Sequence, residues 1–509
     1  MTTWSEGYTT DLQYTSSFYS ELAPAHLAFA ARSAGWRPPA LAGAFDYCEL
    51  GCGQGVSVNV LAATNPRARF WGMDFNPAQI ANARKMAADA RLTNVEFRDW
   101  SFAQAIERAA ELPQFDVITL HGVLTWVSEE NVRQILTFIE RTLKPGGLVY
   151  VSYNALPGWS QALSFRHMAR QVFLRHGENP EAAPARILDL ADRLREGGAV
   201  YFATSPTLGP KLDNLRTQSS AYFAHEYLNR NWRPFHFTEV AELMGEARLD
   251  FLTSASLMDS MPEAATSPAA AAVVAQEAGE DRVWAEQLRD FANNKAFRRD
   301  IYSRGLNRLN PVEQFLDLKD QQFALAVPRG QADILFAGPM GQIAGSAEVH
   351  HPLLDRLAAG PATFGELQAA LPQQNVALGI QAVSLLVHAK QILPVFEQAD
   401  PEPGKRLNGV LLDAYRRARN YNVLAMPAAR TGLVASGADM LAACAVADGR
   451  DGDLQEAAAY GYALLSASGR TLNQDGKQLI DDEARAYLAD EMAPAFDGRI
   501  EVWRNLGAF

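Results

Sequence analysis

Residues 48–55 read CELGCGQG, placing glycines at 51, 53 and 55 directly behind an apolar run and one carboxylate. The segment FDYCEL (45–50) leads in with the look of a buried strand, and VSVNVLAATN (56–65) leads out as a helix, so the glycines occupy a tight strand-to-helix turn. Glycine is favoured where the backbone turns through positive φ or where a ligand must lie against bare main chain. The same alternation continues outward. RARFWGMD (67–74) reads as a strand, NPAQIANARKMAADARL (76–92) as a helix opened by Asn76 and Pro77, and NVEFRD (94–99) as a strand. FDVITLH (115–121) and GGLVYVSYN (146–154) follow as strands, separated by a helix over 128–143 with a Ser128 cap, an acidic first turn and KPGG as its end. Five strands joined by helices predict a parallel α/β sheet, which binds ligands outside the carboxyl ends of its strands.

Two ligands commonly use such a first turn. A dinucleotide needs G-x-G-x-x-G, with the third glycine allowing close helix–strand packing, but position 56 is Val. The observed spacing fits S-adenosylmethionine better: there is no phosphate to cradle, and its amino-acid and ribose parts can run along the bare backbone at Gly51, Cys52, Gly53 and Gly55. Glu49 would then complement the ammonium, directly or through water. Asp74, at the end of the second strand, offers two oxygens to the two ribose hydroxyls. Asp99, at the end of the third, can accept from the adenine amino group, with Trp100 or Phe75 against the ring. Each has a plainer reading: a turn that wants glycine for itself, a helix-capping Asp and a loop Asp. Their placement on successive strand ends favours the ligand.

The chain has 509 residues, enough for two or three domains, and 48% are hydrophobic, enough to give each a core. A formal charge of −12 argues against a broad basic face for nucleic acid or an anionic membrane. Three cysteines, Cys48, Cys52 and Cys444, cannot build a disulfide framework. The amino terminus lacks a basic, apolar leader, and no run of about 18 apolar residues occurs, so the expected compartment is the cytoplasm. HEYLNRNWRPFH (225–236) lacks the H-E-x-x-H spacing that sets two imidazoles on one helix face, and adjacent His350 and His351 point apart, so no metal is expected.

Beyond residue 160 the texture turns Ala-, Leu- and Arg-rich, predicting helices to about 310, with an exposed connection and a weak helix over 261–280. Residues 345–397 read helix, helix, helix, short strand, a winged-helix-like order; EQADPEPGKR (397–406) reads as a linker before a helical tail. From residue 310 onward acidic residues outnumber basic ones, so this part suits protein contact better than nucleic acid. The expected division is 1–175, 176–310 and 311–509.

ELGCGQG, GMD and KPGG resemble the class I S-adenosylmethionine-dependent methyltransferases. More specific strings are YTTDLQYTSSFYSELAPAHLAFAARSAG at the amino end, HGVLTWVSEENVRQIL, VSYNALPGW, AHEYLNRNWRPFHFTEVAELM and NNKAFRRDIY. These resemble the subgroup with a methyltransferase regulatory domain, which includes the rickettsial-type protein lysine methyltransferases; QY stands where that subgroup commonly has Pro before Tyr. The resemblance covers residues 1 to about 310. It implies a Rossmann-like seven-stranded sheet whose last two strands are antiparallel to each other, then a mostly helical regulatory domain that covers or shapes the acceptor site. It also implies donor contacts at Glu49, Gly51, Gly53, Asp74, Asp99 and His121–Val123, including Gly122.

Methyl transfer is an in-line displacement that needs alignment, exclusion of water and a neutral acceptor. A lysine acceptor, with a reference pKa of ~10.4, costs roughly 4–5 kcal/mol to deprotonate at pH 7, a cost an apolar aromatic pocket reduces. Trp126, Tyr153 and Trp159 flank the fourth and fifth strands, and Tyr8, Tyr14 and Phe18 lie on an amino-terminal segment able to close over the donor; all have core packing as the alternative. Asn154 is a candidate acceptor for an amine N–H. His121 is a candidate proton relay, with a backbone hydrogen bond as its plainer role. Protein lysine is the expected acceptor by resemblance alone. A small-molecule N- or O-methyltransferase, a donor-binding regulator without turnover and, more distantly, a nicotinamide-dependent oxidoreductase are the rivals. The expected partner is a protein substrate, with homodimerisation left open and neither nucleic acid nor membrane insertion expected.

Overall fold

Strand β1 (Asp46–Leu50) is buried along its whole length because parallel neighbours flank it on both sides. The computed structural model describes residues 17–177, 179–339, 341–373, 375–396, 400–474 and 477–509. β1 pairs with β2 (Arg69–Met73), which pairs with β3 (Val95–Arg98), and on its other side with β4 (Phe115–Leu120), which pairs with β5 (Leu143–Asn154). All four pairings are parallel. The KPGG segment lies within β5 and is not simply a helix end; the preceding helix stops at Thr142.

The sheet has seven strands in the order β3-β2-β1-β4-β5-β7-β6. Its last two come from much later in the chain: β6 (Asp250–Ser254) and β7 (Phe297–Ser303). β7 inserts between β5 and β6 and runs antiparallel to both. A boundary at residue 175 therefore cuts the sheet. The segment assigned wholly to a second domain, 176–310, supplies two strands of the first. FRRDIYS hides its strand character behind charges. Arg298 and Asp300 are buried because Arg298 pairs with Asp300 at 3.0 Å, Asp290 at 2.6 Å and Glu286 at 2.8 Å.

Helix α1 (Pro24–Ser33) precedes the sheet, while α2 (Val56–Thr64), α3 (Pro77–Asp89), α4 (Phe102–Glu107) and α5 (Glu129–Thr142) connect its strands. Every residue of α2 is buried, which one sheet face alone cannot achieve. The carboxyl-terminal region covers its other side. A hairpin of Val423–Met426 with Thr431–Val434 lies on α2 so closely that a Cβ on Gly432 would sit 2.9 Å from Val60. Asn65 Nδ2 donates to the Arg430 carbonyl at 3.1 Å, and Arg406 Nε donates to the Ala90 carbonyl at 3.1 Å.

Between β5 and β6 the chain leaves the sheet as α6 (Ser160–His176), α7 (Ala183–Glu196), the helix Leu208–Thr217 and a π-helical turn, Ala224–Leu228. These pack around their own core of Trp159, Phe165, Tyr227 and Trp232. Further on, helices Ala347–Ala358, Phe364–Ala369 and Val376–His388 and strand Ile392–Val395 follow in the winged-helix-like order. The central strand of their three-stranded sheet, Gln322–Leu325, comes from before residue 345. The second half of the expected linker at 397–406 is helix, since Glu402–Arg416 starts inside it, and residues 397–399 lie outside the described set. Among the described residues, no helix is long and apolar enough to cross a membrane.

Candidate active site

A cavity of about 910 Å³ opens at the carboxyl ends of β1, β2, β4 and β5. Its floor is the glycine turn. Gly51, Gly53 and Gly55 all have positive φ (70°, 54° and 68°), a region that penalises any Cβ. A Cβ on Gly51 would also meet Val123 Cγ2 at 2.6 Å, so the bare backbone here is a steric requirement. Gly55 serves packing and does not line the cavity: its missing Cβ makes room for Ala83 and Phe97. Cys52 lines the turn beside its glycines.

Glu49, at the end of β1, is the unusual group. Its Oε2 is buried without a hydrogen-bond partner among the described residues. Burial, with the neighbouring Asp74 carboxyl, pushes its pKa up to about 8. A buried, unsatisfied carboxyl oxygen in a cavity wall is costly unless something cationic or hydrogen-bonding meets it. Asp74 lies beside it, accepting from the Gly53 N–H at 3.0 Å and the Asn76 N–H at 2.9 Å, which ties the tip of β2 to the glycine turn. Each of its oxygens retains a lone pair for a ligand. Capping of α3 falls to Asn76, whose Oδ1 accepts from Ala78 N at 3.0 Å. Burial raises the Asp74 pKa, while the two backbone donors oppose the shift.

Asp99 is not in the cavity. It points outward and pairs with Arg84 at 3.1 Å, because β3 is an edge strand whose end faces solvent. Trp100, Phe75, Ser101, Phe102 and Gln104 line that end of the cavity instead.

After β4, His121, Gly122 and Val123 line the cavity. Gly122 N donates to Ser152 Oγ at 2.8 Å, and His121 Nδ1 lies 2.9 Å from the Tyr150 hydroxyl and 3.2 Å from Ser152 Oγ. Burial, aided by Arg299, lowers the His121 pKa to about 3, so the ring is neutral at physiological pH and poorly suited to the proton relay expected of it. Tyr19 stacks on it with ring centroids 3.6 Å apart and lines the cavity. Tyr19, beside the expected Phe18, is thus a residue of this segment that reaches the cavity. Phe18 faces the opposite way, into the core near Gly432, while Tyr8 and Tyr14 lie outside the described residues.

The far end of the cavity is built by the excursion between β5 and β6. Trp126, Asn154 and Trp159 line it, as expected from the sequence. Tyr153 does not: as alternate residues of a strand face opposite ways, its hydroxyl is directed to the buried Asp300, donating at 2.7 Å. The π-turn adds Glu226, whose Oε2 accepts from Asn154 Nδ2 at 3.0 Å and Trp232 Nε1 at 2.8 Å. Fixing Nδ2 leaves Oδ1 as the acceptor of the Asn154 amide. Lys211 reaches in from the helix Leu208–Thr217 with Nζ 3.3 Å from the Trp159 ring centroid, and Tyr222 and Arg299 complete the wall. Sequence reading missed Tyr19, Lys211, Tyr222, Glu226 and Arg299. Glu226 was weighed only for metal binding; π-turns concentrate at functional sites, but their sequence carries no periodicity that announces them.

The chain matches a methyltransferase domain over residues 43–202 and a predicted methyltransferase regulatory domain over residues 219–304. It is 35% identical to an uncharacterized protein of Synechocystis sp. over 99% of both chains, and 29% identical to an uncharacterized protein of Rickettsia prowazekii over 43% of this chain and 86% of that one. The structure of PKMT2 from Rickettsia typhi in complex with AdoHcy shares the fold, with a TM-score of 0.68 and 19% identity over 96% of this chain and 99% of that one. A seven-stranded sheet of this order, a glycine turn with a buried acid behind it and these two matched regions have one common explanation. The chain belongs to the class I S-adenosylmethionine-dependent methyltransferases that carry a methyltransferase regulatory domain.

Proposed function

We propose that this methyltransferase modifies lysine side chains of protein substrates, with the donor at the glycine-turn end of the cavity and the acceptor amine at the end built by residues 159–226. The residues fit the donor. The unpartnered Glu49 oxygen answers an ammonium, Asp74 answers a diol, and Gly51 and Gly53 give a flat backbone surface between them. Bound S-adenosylmethionine supplies an electrophilic methyl on a sulfonium. The chain supplies position and environment: Trp126 and Trp159 present aromatic faces, Glu226 and Asn154 present acceptors, and Tyr19 with the neutral His121 forms an uncharged wall.

One observation favours an amine acceptor: the far end already holds one. Lys211 Nζ rests on the Trp159 ring, and burial lowers its pKa to about 8, against the pull of Glu226. A site that moves a lysine toward its free base while giving its cationic form an aromatic face suits both the nucleophile and the methylammonium product. The buried free thiols Cys48, Cys52 and Cys444 support a reducing compartment, the cytoplasm in our reading. Incubating the chain with methyl-labelled donor and a cell lysate, then removing the chain and hydrolysing the remaining lysate proteins in acid, with a parallel incubation lacking the chain, tests the proposal. Label recovered as methyl-lysine supports it; label confined to small molecules, or recovered on another amino acid, refutes it.

A further inference from the structure

Lys211 is, among the described residues, the lysine that lines the active-site cavity, and the roles assigned so far do not explain why a lysine is there. Its helix is anchored by Leu208, Leu212 and Leu215, all buried in the core of the excursion, so the position of Lys211 relative to Trp159 is set by packing. Its Nζ lies 3.3 Å from the Trp159 ring centroid, and the cavity it enters is continuous with the donor end at Glu49 and Gly51. A surface lysine ordinarily extends its ammonium into water, since desolvating that charge is costly. This one is turned inward to the place proposed for a substrate amine.

We propose that Lys211 is itself a methyl acceptor, modified by its own chain. The inference rests on the methyltransferase reading of the cavity and goes beyond the protein substrate. The ammonium first loses a proton to solvent, a step that burial makes easier than for an exposed lysine. The neutral Nζ then forms a bond to the donor methyl carbon as the carbon–sulfur bond breaks, and the bonding pair returns to sulfur. The products are a methylammonium on Lys211, held by the Trp159 face, and S-adenosylhomocysteine. An external lysine and Lys211 compete for the same aromatic surface, so methylation of Lys211 marks a chain that has turned over on itself.

The test uses the purified full chain with donor carrying a heavy methyl group and no other protein. Intact mass is followed by peptide mapping, while S-adenosylhomocysteine binding and lysate methylation are measured on the same preparation. The expected result is one or more heavy methyl groups on the Lys211 peptide, accumulating per chain at a rate independent of chain concentration and lost in Lys211→Arg. Lysate proteins gaining methyl-lysine while Lys211 stays unmodified overturns this inference and leaves the function standing. A per-chain rate rising with concentration also overturns it, by placing the reaction between copies. Absence of both product binding and label on any protein removes this inference and the function beneath it together.

Discussion

Replacing Glu49 by glutamine tests the least ordinary feature of the cavity. In the free protein the Glu49 carboxyl is raised to about 8 by burial and by Asp74, so at pH 7 it is mostly protonated. The α-amino group of the donor product belongs to a free amino acid, whose adjacent carboxylate keeps it more basic than a peptide amino terminus at about 7.7–8.0, so it is ammonium at that pH. Forming the charged pair requires Glu49 to lose its proton, which costs about 1.4 kcal/mol at pH 7 and about twice that at pH 6. Affinity for S-adenosylhomocysteine therefore falls about tenfold for each pH unit below 8, and binding at pH 7 releases close to one proton. Above pH 8 Glu49 is ionised in the free protein, so affinity levels off there. Titration calorimetry at several pH values, in buffers of different ionisation enthalpy, reads both quantities. Glu49→Gln abolishes the acid limb and the proton release. A wild-type protein with flat affinity between pH 6 and 8 and no proton release refutes the assignment of Glu49 to the ammonium.

The same raised pKa has a consequence for stability. A carboxyl whose folded value exceeds its ordinary 4.5 favours the fold while protonated, and this contribution is lost as pH rises toward about 8. Thermal melts should show Glu49→Gln gaining on wild type at pH 9 relative to pH 5; equal differences at both would contradict the shift. Asp74→Ala should weaken S-adenosylhomocysteine binding by roughly 2–3 kcal/mol, or about 30- to 150-fold, because it leaves the ribose hydroxyls and the Gly53 N–H without their acceptor; calorimetry showing unchanged affinity would remove Asp74 from the site. Trp126→Ala should leave product affinity within about twofold while lowering turnover of lysate substrates at least tenfold, following loss of an acceptor-side aromatic face; the reverse pattern would move Trp126 to the donor side. Arg298→Met leaves Asp290 and Asp300 without their arginine in the interior, while Glu286 keeps Arg289, and should cost about 3–5 kcal/mol in urea unfolding, whereas a loss below about 1 kcal/mol would show the cluster to be well hydrated.

The glycine-turn end of the cavity was legible because its geometry is local. Gly51, Gly53, Glu49 and Asp74 are fixed by one turn and two strand ends, and apolar runs with glycine punctuation announce both. Asp99 misled because a strand-end acid looks the same in sequence whether its strand is flanked or at an edge; Arg84, on the preceding helix, decides the matter. Tyr153 misled by one residue of strand phase. The far end of the cavity was hidden for a different reason. Lys211 and Glu226 arrive from a long excursion between β5 and β6, and nothing in local periodicity says that a helix and a π-turn from there fold back over the sheet. The sheet crosses the expected boundary at 175 for the same reason. A strand as charged as FRRDIYS belongs in a sheet only when Glu286 and Asp290 come from elsewhere to neutralise Arg298.

A crystal structure of the protein with S-adenosylhomocysteine would fix the ligand's pose in the cavity. The expected pose has its amino group at Glu49, its ribose at Asp74 and its sulfur directed toward the Trp126 and Trp159 end. Product bound elsewhere, or bound here with its ammonium away from Glu49, would contradict it.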